Sequence, residues 1–191
     1  MRITKEPEIR RMEIVGAAKT LFEELGVERT SMAKIAQKAK VTKGLVYYYF
    51  SSKEELVEAV VEGLAMETDR MLMEILEDEK QDFLEKLSNI LGLYFGVIRK
   101  NATLMALSNT NPGVFELVKN KLVESAIYHT KDLISQGMKE GVLQIEYPEY
   151  TLKILIGGIA DLYQEGMEDP KVMAVLIEQV LSLPKGTLQI L

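Results

Sequence analysis

Five residues of distinct chemistry lie close together in the sequence: Thr42, Lys43, Gly44, Tyr47 and Tyr48. They supply a hydroxyl group, an amine, a position without a side chain and two phenol rings. A lysine amine can donate to guanine O6 and N7, and a threonine can reach a base edge or the thymine methyl group. Phenol hydroxyls can bond to phosphate oxygens, and a glycine lets the backbone lie close to the bases. The set predicts contacts with double-stranded DNA, provided that one element presents it.

Three short helices are predicted to position these residues. In residues 9–25, apolar side chains recur with the 3.6-residue period of a helix that ends at Gly26. Thr30 or Ser31 can cap a second helix that runs to about Ala39, and a turn at Lys40 and Val41 leads to a third helix capped by Thr42. This layout predicts a helix-turn-helix at about 31–50, within a DNA-binding domain of residues 1–52. The second helix of such a pair enters the major groove with its N-terminal residues at the base edges.

The aromatic residues at the end of the third helix are predicted to face either the core or the solvent. Tyr49 and Phe50 follow Val46 and are predicted to close the core, whereas Tyr47 and Tyr48 are predicted to face outward. Hydroxyl and amine groups at neighbouring helix starts offer further phosphate donors, and helix N-termini favour phosphate in any case. Those donors are Thr30, Ser31, Ser51 and Lys53.

The charge distribution supports a polyanion-binding end. The whole chain has a net charge of −6, but residues 1–53 hold eleven Lys and Arg against six Glu, which is +5. Residues 54–191 hold twelve basic and 23 acidic residues, which is −11. A basic segment followed by an acidic one is typical of a protein with one nucleic-acid-binding end.

The remainder of the chain also reads as helical, because no stretch alternates with period two long enough to form a strand. Helices are predicted at about 53–77, 82–99, 102–109, 114–137, 149–166 and 170–182. The fold class is therefore all-α with nine helices. Residues 53–191 are predicted to form an effector-binding and dimerisation domain.

Residues 9–60 resemble the N-terminal domain of the TetR family of transcriptional regulators (TetR/AcrR-like). The resemblance implies that residues matching Thr42, Lys43, Gly44 and Tyr47 touch bases or nearby backbone, and that those matching Thr30, Tyr48 and Lys53 hold phosphates. In the turn, Lys40 stands where the family usually has glycine, so a left-handed conformation there would cost roughly 1 kcal/mol. The segments that carry the resemblance are Ile14-x-x-Ala17-Ala18-x-x-Leu21-Phe22-x-x-x-Gly26, residues 30–36, residues 41–50 and residues 52–56.

The last two helices are predicted to form a homodimer, which would match a palindromic operator. Helix 170–182 is apolar around most of its circumference, so it needs cover on two sides. Gly157 and Gly158 permit close helix approach, and the family also implies a four-helix interface; a larger core within one chain is the alternative. The predicted interface residues are Leu155, Gly158, Ile159, Leu162, Val172, Leu176 and Val180.

Helices 82–137 are predicted to bind a small-molecule effector of unknown identity, as the family implies, although aromatic and methionine side chains at helical spacing also suit plain core packing. The candidate pocket residues are Tyr94, Phe95, Met105, Phe115, Tyr128 and His129. The function predicted is a ligand-responsive repressor. The alternative is a DNA-bound factor that recruits another protein and has no small-molecule effector.

Several classes are disfavoured by composition. The chain has no Cys and one His, and no phosphate-binding glycine-rich loop, so we expect no catalytic residues, no metal site and no cofactor. The longest apolar run near the C-terminus, 154–160, is far shorter than the roughly 20 residues that span a bilayer. Without an apolar signal segment at the N-terminus, a cytoplasmic location with no membrane partner is expected.

Overall fold

The computed structural model describes residues 6–100 and 112–189. These residues form eight helices, so the prediction of an all-helical fold is confirmed. The predicted helix 102–109 lies outside the described residues. The helices are α1 (Pro7–Leu25), α2 (Met32–Lys38), α3 (Lys43–Tyr49), α4 (Lys53–Glu77), α5 (Phe83–Lys100), α6 (Pro112–Lys139), α7 (Pro148–Gln164) and α8 (Pro170–Val180).

The chain divides into two compact units. The head unit comprises Met1–Leu64 and Asn101–Val118, and the body unit comprises Ala65–Lys100 and Lys119–Leu191. The division falls within α4 and within α6, so the chain passes between units inside continuous helices. The sequence-based boundary after residue 52 stays a prediction.

The head unit is built on a small core to which α1, α2 and α3 each contribute. Phe22, Ile35, Val46 and Phe50 are fully buried, as the helical spacing predicted. Ser31 caps α2 by accepting a hydrogen bond from the Lys34 N–H. Because each helix of the pair is only seven residues long, packing and capping rather than intrinsic helicity must stabilise them.

The turn between α2 and α3 keeps a left-handed residue although that residue is a lysine. Lys40 has φ 55°, its N–H bonds to the Gln37 carbonyl at 3.1 Å, and the Val41 N–H bonds to the Ala36 carbonyl at 2.9 Å. This pair of bonds is a Schellman motif, which usually has glycine at the left-handed position. The turn therefore keeps the left-handed geometry that glycine usually provides, and this conformation of Lys40 costs roughly 1 kcal/mol.

The body unit has a separate apolar core that includes Leu72, Phe83, Ile90, Ile134 and Ile177. Helices α5 and α6 approach closely at Gly137, where an added Cβ would lie 2.6 Å from the Phe83 ring.

The segment after α8 is held by a buried carboxylate. Glu178 accepts the backbone N–H groups of Gly186 at 3.0 Å and Leu188 at 2.8 Å, one on each carboxylate oxygen. Leu183 and Leu188 of this segment belong to the body core.

Candidate nucleic-acid interface

Helix α3 presents an exposed polar and aromatic face at the N-terminal end of a well-capped helix. Thr42 is the N-cap, and its hydroxyl oxygen accepts from the Leu45 N–H at 3.2 Å. Lys43 and Gly44 follow and are exposed. Tyr47 and Tyr48 are 46% and 78% exposed, whereas Val46, which precedes them in the helix, is buried. The structure thus brings the five residues together on one short element, with the helix N-terminus available to an anion.

Two of these residues form a pair, since Lys43 and Tyr47 are one helical turn apart. The Lys43 Nζ lies 5.6 Å from the centre of the Tyr47 ring, within the range of a cation–π contact. The Gly44 backbone is open, because a Cβ built there meets no atom within 4 Å. An amine, a phenol and a bare backbone patch are therefore accessible side by side.

The other predicted phosphate donors have different surroundings. The Thr30 side chain is buried, and its hydroxyl donates to the Gly26 carbonyl at 2.8 Å and the Leu21 carbonyl at 3.2 Å. Lys53 is half-buried and its Nζ donates to the Val27 carbonyl at 3.0 Å. Both side chains thus tie the loop between α1 and α2 in place. Ser31 is exposed and keeps its hydroxyl hydrogen free for an outside acceptor while it caps α2.

The start of α4 is held by a variant of the capping box. The Ser52 hydroxyl accepts the Glu55 N–H at 3.1 Å, but the Glu55 carboxylate bonds Ser51, accepting its N–H at 2.6 Å and its hydroxyl at 2.8 Å. These bonds hold the pKa of Glu55 below its usual value. The Ser51 hydroxyl is therefore already engaged.

A groove of about 410 Å³ lies in the head unit between α1 and the end of α2. Three basic residues line it, Arg10, Lys38 and Lys40. Arg10 pairs with Glu13 at 2.7 Å and Lys38 with Glu24 at 3.3 Å. Lys40 forms no ion pair within the described part of the chain, so it adds an available cation beside the α2–α3 turn.

The N-terminal segment matches a known family. Residues 14–60 match the model described as bacterial regulatory proteins, tetR family. This stretch contains α2, the turn, α3 and the cap of α4, which are the elements that build the exposed face. The N-terminal segment of the chain is therefore similar to the TetR family.

Two curated relatives differ in how much of this chain they cover. The HTH-type transcriptional regulator TtgR of Pseudomonas putida is 33% identical over 90 residues, which are 47% of this chain and 43% of TtgR. The chain thus matches less than half the length of that relative. The nucleoid occlusion factor SlmA of Vibrio campbellii is 26% identical over 180 residues, which are 94% of this chain and 82% of SlmA.

The likeness of the fold to a solved structure extends beyond the head unit. The crystal structure of RolR in complex with its ligand resorcinol has a TM-score of 0.66 and 19% identity, covering 93% of this chain and 90% of that one. At this identity the likeness concerns the fold.

The predicted pocket residues of the body unit differ in their exposure. Phe95 is buried, and Tyr94 is half-buried with its phenol oxygen inside the unit. The Tyr128 ring is 78% exposed and contacts the His129 ring edge to face at 4.9 Å. Met105 and the Phe115 side chain lie outside what the structure describes.

The predicted dimer residues also differ from one another in exposure. Leu155 belongs to the body core, and Ile159 packs against that core, as does Ile156. Gly158 is exposed, Leu162 and Leu176 are half-buried, and Val172 and Val180 are 39% and 44% exposed. The neighbouring Ile154, which the sequence reasoning did not select, is 72% exposed.

Sequence reasoning also missed two polar residues of the body unit, Asp69 and Ser125. The Ser125 hydroxyl donates to Asp69 Oδ1, on a different helix. The only sequence signal was that Ser125 and His129 are four residues apart, so they share a face of α6.

None of the helices in the described residues is long and apolar enough to cross a membrane. No group of three His, Asp or Glu among these residues is arranged to hold a metal ion.

Proposed function

We propose that this chain is a ligand-responsive repressor of the TetR family that binds a palindromic operator as a homodimer. The observation that carries the proposal is the exposed face of α3, where Thr42, Lys43, Gly44, Tyr47 and Tyr48 surround the capped start of a short helix. Lys43 would contact a guanine, Thr42 a base edge, and the two phenols the phosphates. Close approach of the helix is supported by the open backbone at Gly44.

Dimer formation is supported by the exposed apolar side chains on α7 and α8. Ile154, Val172 and Val180 are large apolar residues that the chain leaves in water. They lie on two helices that contact each other, and exposed apolar side chains of this kind suit a surface that another protein covers. A second copy of the chain would place two α3 helices on the two halves of a palindrome.

Ligand response is supported by the likeness of the fold to RolR, which has been crystallised with resorcinol. Helix α4 begins at Lys53 in the head unit and ends at Glu77 in the body unit. A ligand that binds one arrangement of the body better than another would shift the spacing of the two α3 helices through α4. Such a shift requires a difference in ligand affinity between the DNA-bound and free states.

The proposal is tested by binding of the dimer to the DNA upstream of its own coding sequence. Lys43→Ala combined with Tyr47→Ala is expected to weaken binding by about a hundredfold, since one base contact and one phosphate contact are lost. Lys139→Ala combined with Tyr147→Ala removes the same two residue types from exposed body positions and serves as the control. Undiminished binding by the α3 variant would show that this face does not read the DNA.

A second candidate is a DNA-bound factor that recruits another protein and has no small-molecule effector. It is favoured by the alignment with a nucleoid occlusion factor over 94% of this chain. Deletion of the gene distinguishes the two. A repressor is expected to raise the transcripts of genes beside its binding sites, whereas the recruiting factor is expected to leave them unchanged.

A further inference from the structure

Four polar side chains from three helices meet in the body unit. Asp69 lies on α4, Tyr94 on α5, and Ser125 and His129 on α6. The Ser125 hydroxyl donates to Asp69 Oδ1, and His129 Nε2 lies 3.7 Å from the same oxygen. That second distance is too long for a hydrogen bond. Asp69 is therefore the centre of the cluster, with one of its two oxygens engaged.

The cluster retains unused hydrogen-bonding capacity. Among buried side chains that the structure describes, the Tyr94 phenol oxygen is the one polar atom without a hydrogen-bond partner. No described residue donates to Asp69 Oδ2, although a carboxylate can accept about four hydrogen bonds. A buried polar group without a partner costs about 1–3 kcal/mol. A bound ligand that donates hydrogen bonds would remove that cost.

The Tyr94 phenol remains a neutral acceptor and donor. Burial raises its pKa to about 12, the nearby Ser125 hydroxyl opposes the shift, and the Asp69 charge adds to it. The phenol oxygen can therefore accept from a ligand without adding a second negative charge.

The charge and the ring systems of the cluster favour a cation. The Asp69 side chain is 37% exposed, so a ligand can reach the carboxylate from solvent. The His129 ring lies beside the carboxylate, and the Tyr128 ring contacts the His129 ring edge to face. Aromatic faces attract cations and suit flat apolar groups. The charge of −11 over residues 54–191 disfavours an anion and attracts a cation.

We propose that Asp69, Tyr94, Ser125 and His129 form the cation-binding end of a ligand site, and that the ligand carries a protonated amine beside an aromatic group. The ammonium group donates to Asp69 Oδ2 and to the Tyr94 phenol oxygen, and the aromatic group lies against the His129 and Tyr128 rings. The description of this ligand as the effector rests on the proposed function, but its binding to the free protein does not.

The absence of tryptophan from the chain permits a direct test. Indole fluorescence then comes only from the probe, so its anisotropy reports binding. Three probes share one ring and differ in charge: tryptamine is a cation, tryptophol is neutral and indole-3-acetate is an anion. Tryptamine is expected to bind at least tenfold more tightly than the other two. Benzylamine is expected to compete with it.

Substitutions assign the preference to the cluster. Asp69→Asn is expected to lower tryptamine affinity to that of tryptophol. Asp132→Asn removes the same charge from an exposed position on α6, one turn after His129, and is expected to change tryptamine affinity little. Tyr94→Phe is expected to weaken tryptamine binding several-fold and to change the melting temperature little, because the phenol oxygen makes no well-formed hydrogen bond in the free protein.

Three results would overturn the inference: equal binding of the three probes, tryptamine affinity unaffected by Asp69→Asn, or no binding of either amine. A purely structural cluster would show itself as a lower melting temperature for Tyr94→Phe. If Asp69→Asn does not fold, Tyr94→Phe and Ser125→Ala decide the matter. Tryptamine binding that depends on Asp69 but leaves operator affinity unchanged would keep the site and refute the ligand response in the proposed function.

Discussion

Helix α3 in the head and helices α7 and α8 in the body both leave large side chains in water, but the chemistry of the two surfaces is opposite. On α3 the exposed residues are a lysine and two tyrosines, which can satisfy phosphates and base edges. On α7 and α8 they include Ile154, Val172 and Val180, which have no polar group to offer. The head surface thus suits a charged partner, and the body surface suits an apolar one.

Glycines sharpen this contrast. A Cβ built at Gly44 in α3 or at Gly158 in α7 meets nothing within 4 Å, whereas at Gly137 it lies 2.6 Å from the Phe83 ring. Substitutions at Gly44 and Gly158 therefore test an outside partner, and one at Gly137 tests packing inside the body unit.

The largest effect is expected from charges placed on the apolar surface of α8. Val172→Asp combined with Val180→Asp would bury two unpaired carboxylates of each protomer in a dimer, at a cost of several kcal/mol. Sedimentation is expected to show monomers, and operator affinity should fall at least ~100-fold, since about 1.4 kcal/mol corresponds to tenfold. Gln179→Asp adds a charge at an exposed polar position of the same helix and is the control. Dimers that persist in the double variant would place the interface elsewhere.

On the head, Gly44→Leu is expected to separate DNA binding from stability. An added Cβ meets no protein atom within 4 Å, so the helix should be unchanged or stabilised by up to about 1 kcal/mol. If the backbone lies against the bases, however, operator affinity should fall by about tenfold or more, as for a misfit of 1–3 kcal/mol. Fluorescence anisotropy with labelled operator DNA and thermal denaturation measure the two quantities. Equal affinity of variant and parent would mean that α3 stays clear of the DNA at this point.

Inside the body, Gly137→Ala is expected to destabilise the fold by about 1–3 kcal/mol, because the new methyl group overlaps the buried Phe83 ring. Urea denaturation measures this change. Gly63→Ala in α4, where a Cβ meets nothing, should instead stabilise by up to about 1 kcal/mol. If both variants had the same stability, α5 and α6 would not approach as closely as described.

The local features of the head could be read from sequence because they depend on neighbours in the chain. The cap at Thr42 and the outward Tyr47 follow from helix capping and helical period, whereas the left-handed position of Lys40 was indicated only by the family resemblance. Contacts across the body could not be read in this way. Asp69 and Ser125 are 56 residues apart, and their meeting depends on how α4 and α6 pack. The choice between Ile154 and Leu155 was equally open, because both are apolar and one residue rotates the face by about 100°.

The buried carboxylate of Glu178 in α8 gives the stability of the body unit a pH dependence. Backbone N–H groups of Leu188 and Gly186 hold the pKa of Glu178 below its usual 4.5. The stabilisation is therefore complete above pH 4.5 and is lost as the pH falls through the lower, folded-state pKa. Glu178→Gln leaves one N–H facing an amide NH₂ and should cost about 2 kcal/mol at neutral pH.

Urea denaturation at several pH values between neutral and acid checks this prediction. The difference between the parent protein and Glu178→Gln should shrink as the pH falls. Glu140→Gln, an exposed position at the end of α6, should show no such convergence. A constant difference would mean that the Glu178 charge does not hold the C-terminal segment.

The smallest effect is expected where the head and the body share a motif. Schellman turns end α2 and α8 with a non-glycine residue, Lys40 at φ 55° and Ser182 at φ 57°, whereas α6 ends with Gly141. Lys40→Gly and Ser182→Gly should each stabilise by about 1 kcal/mol in urea denaturation, since the left-handed strain is relieved. Only Lys40→Gly should also weaken DNA binding, by a few-fold and less at high salt, because it removes a cation beside the reading helix. Equal operator affinity for both variants would mean that Lys40 fills a turn position and contributes nothing to the DNA contact.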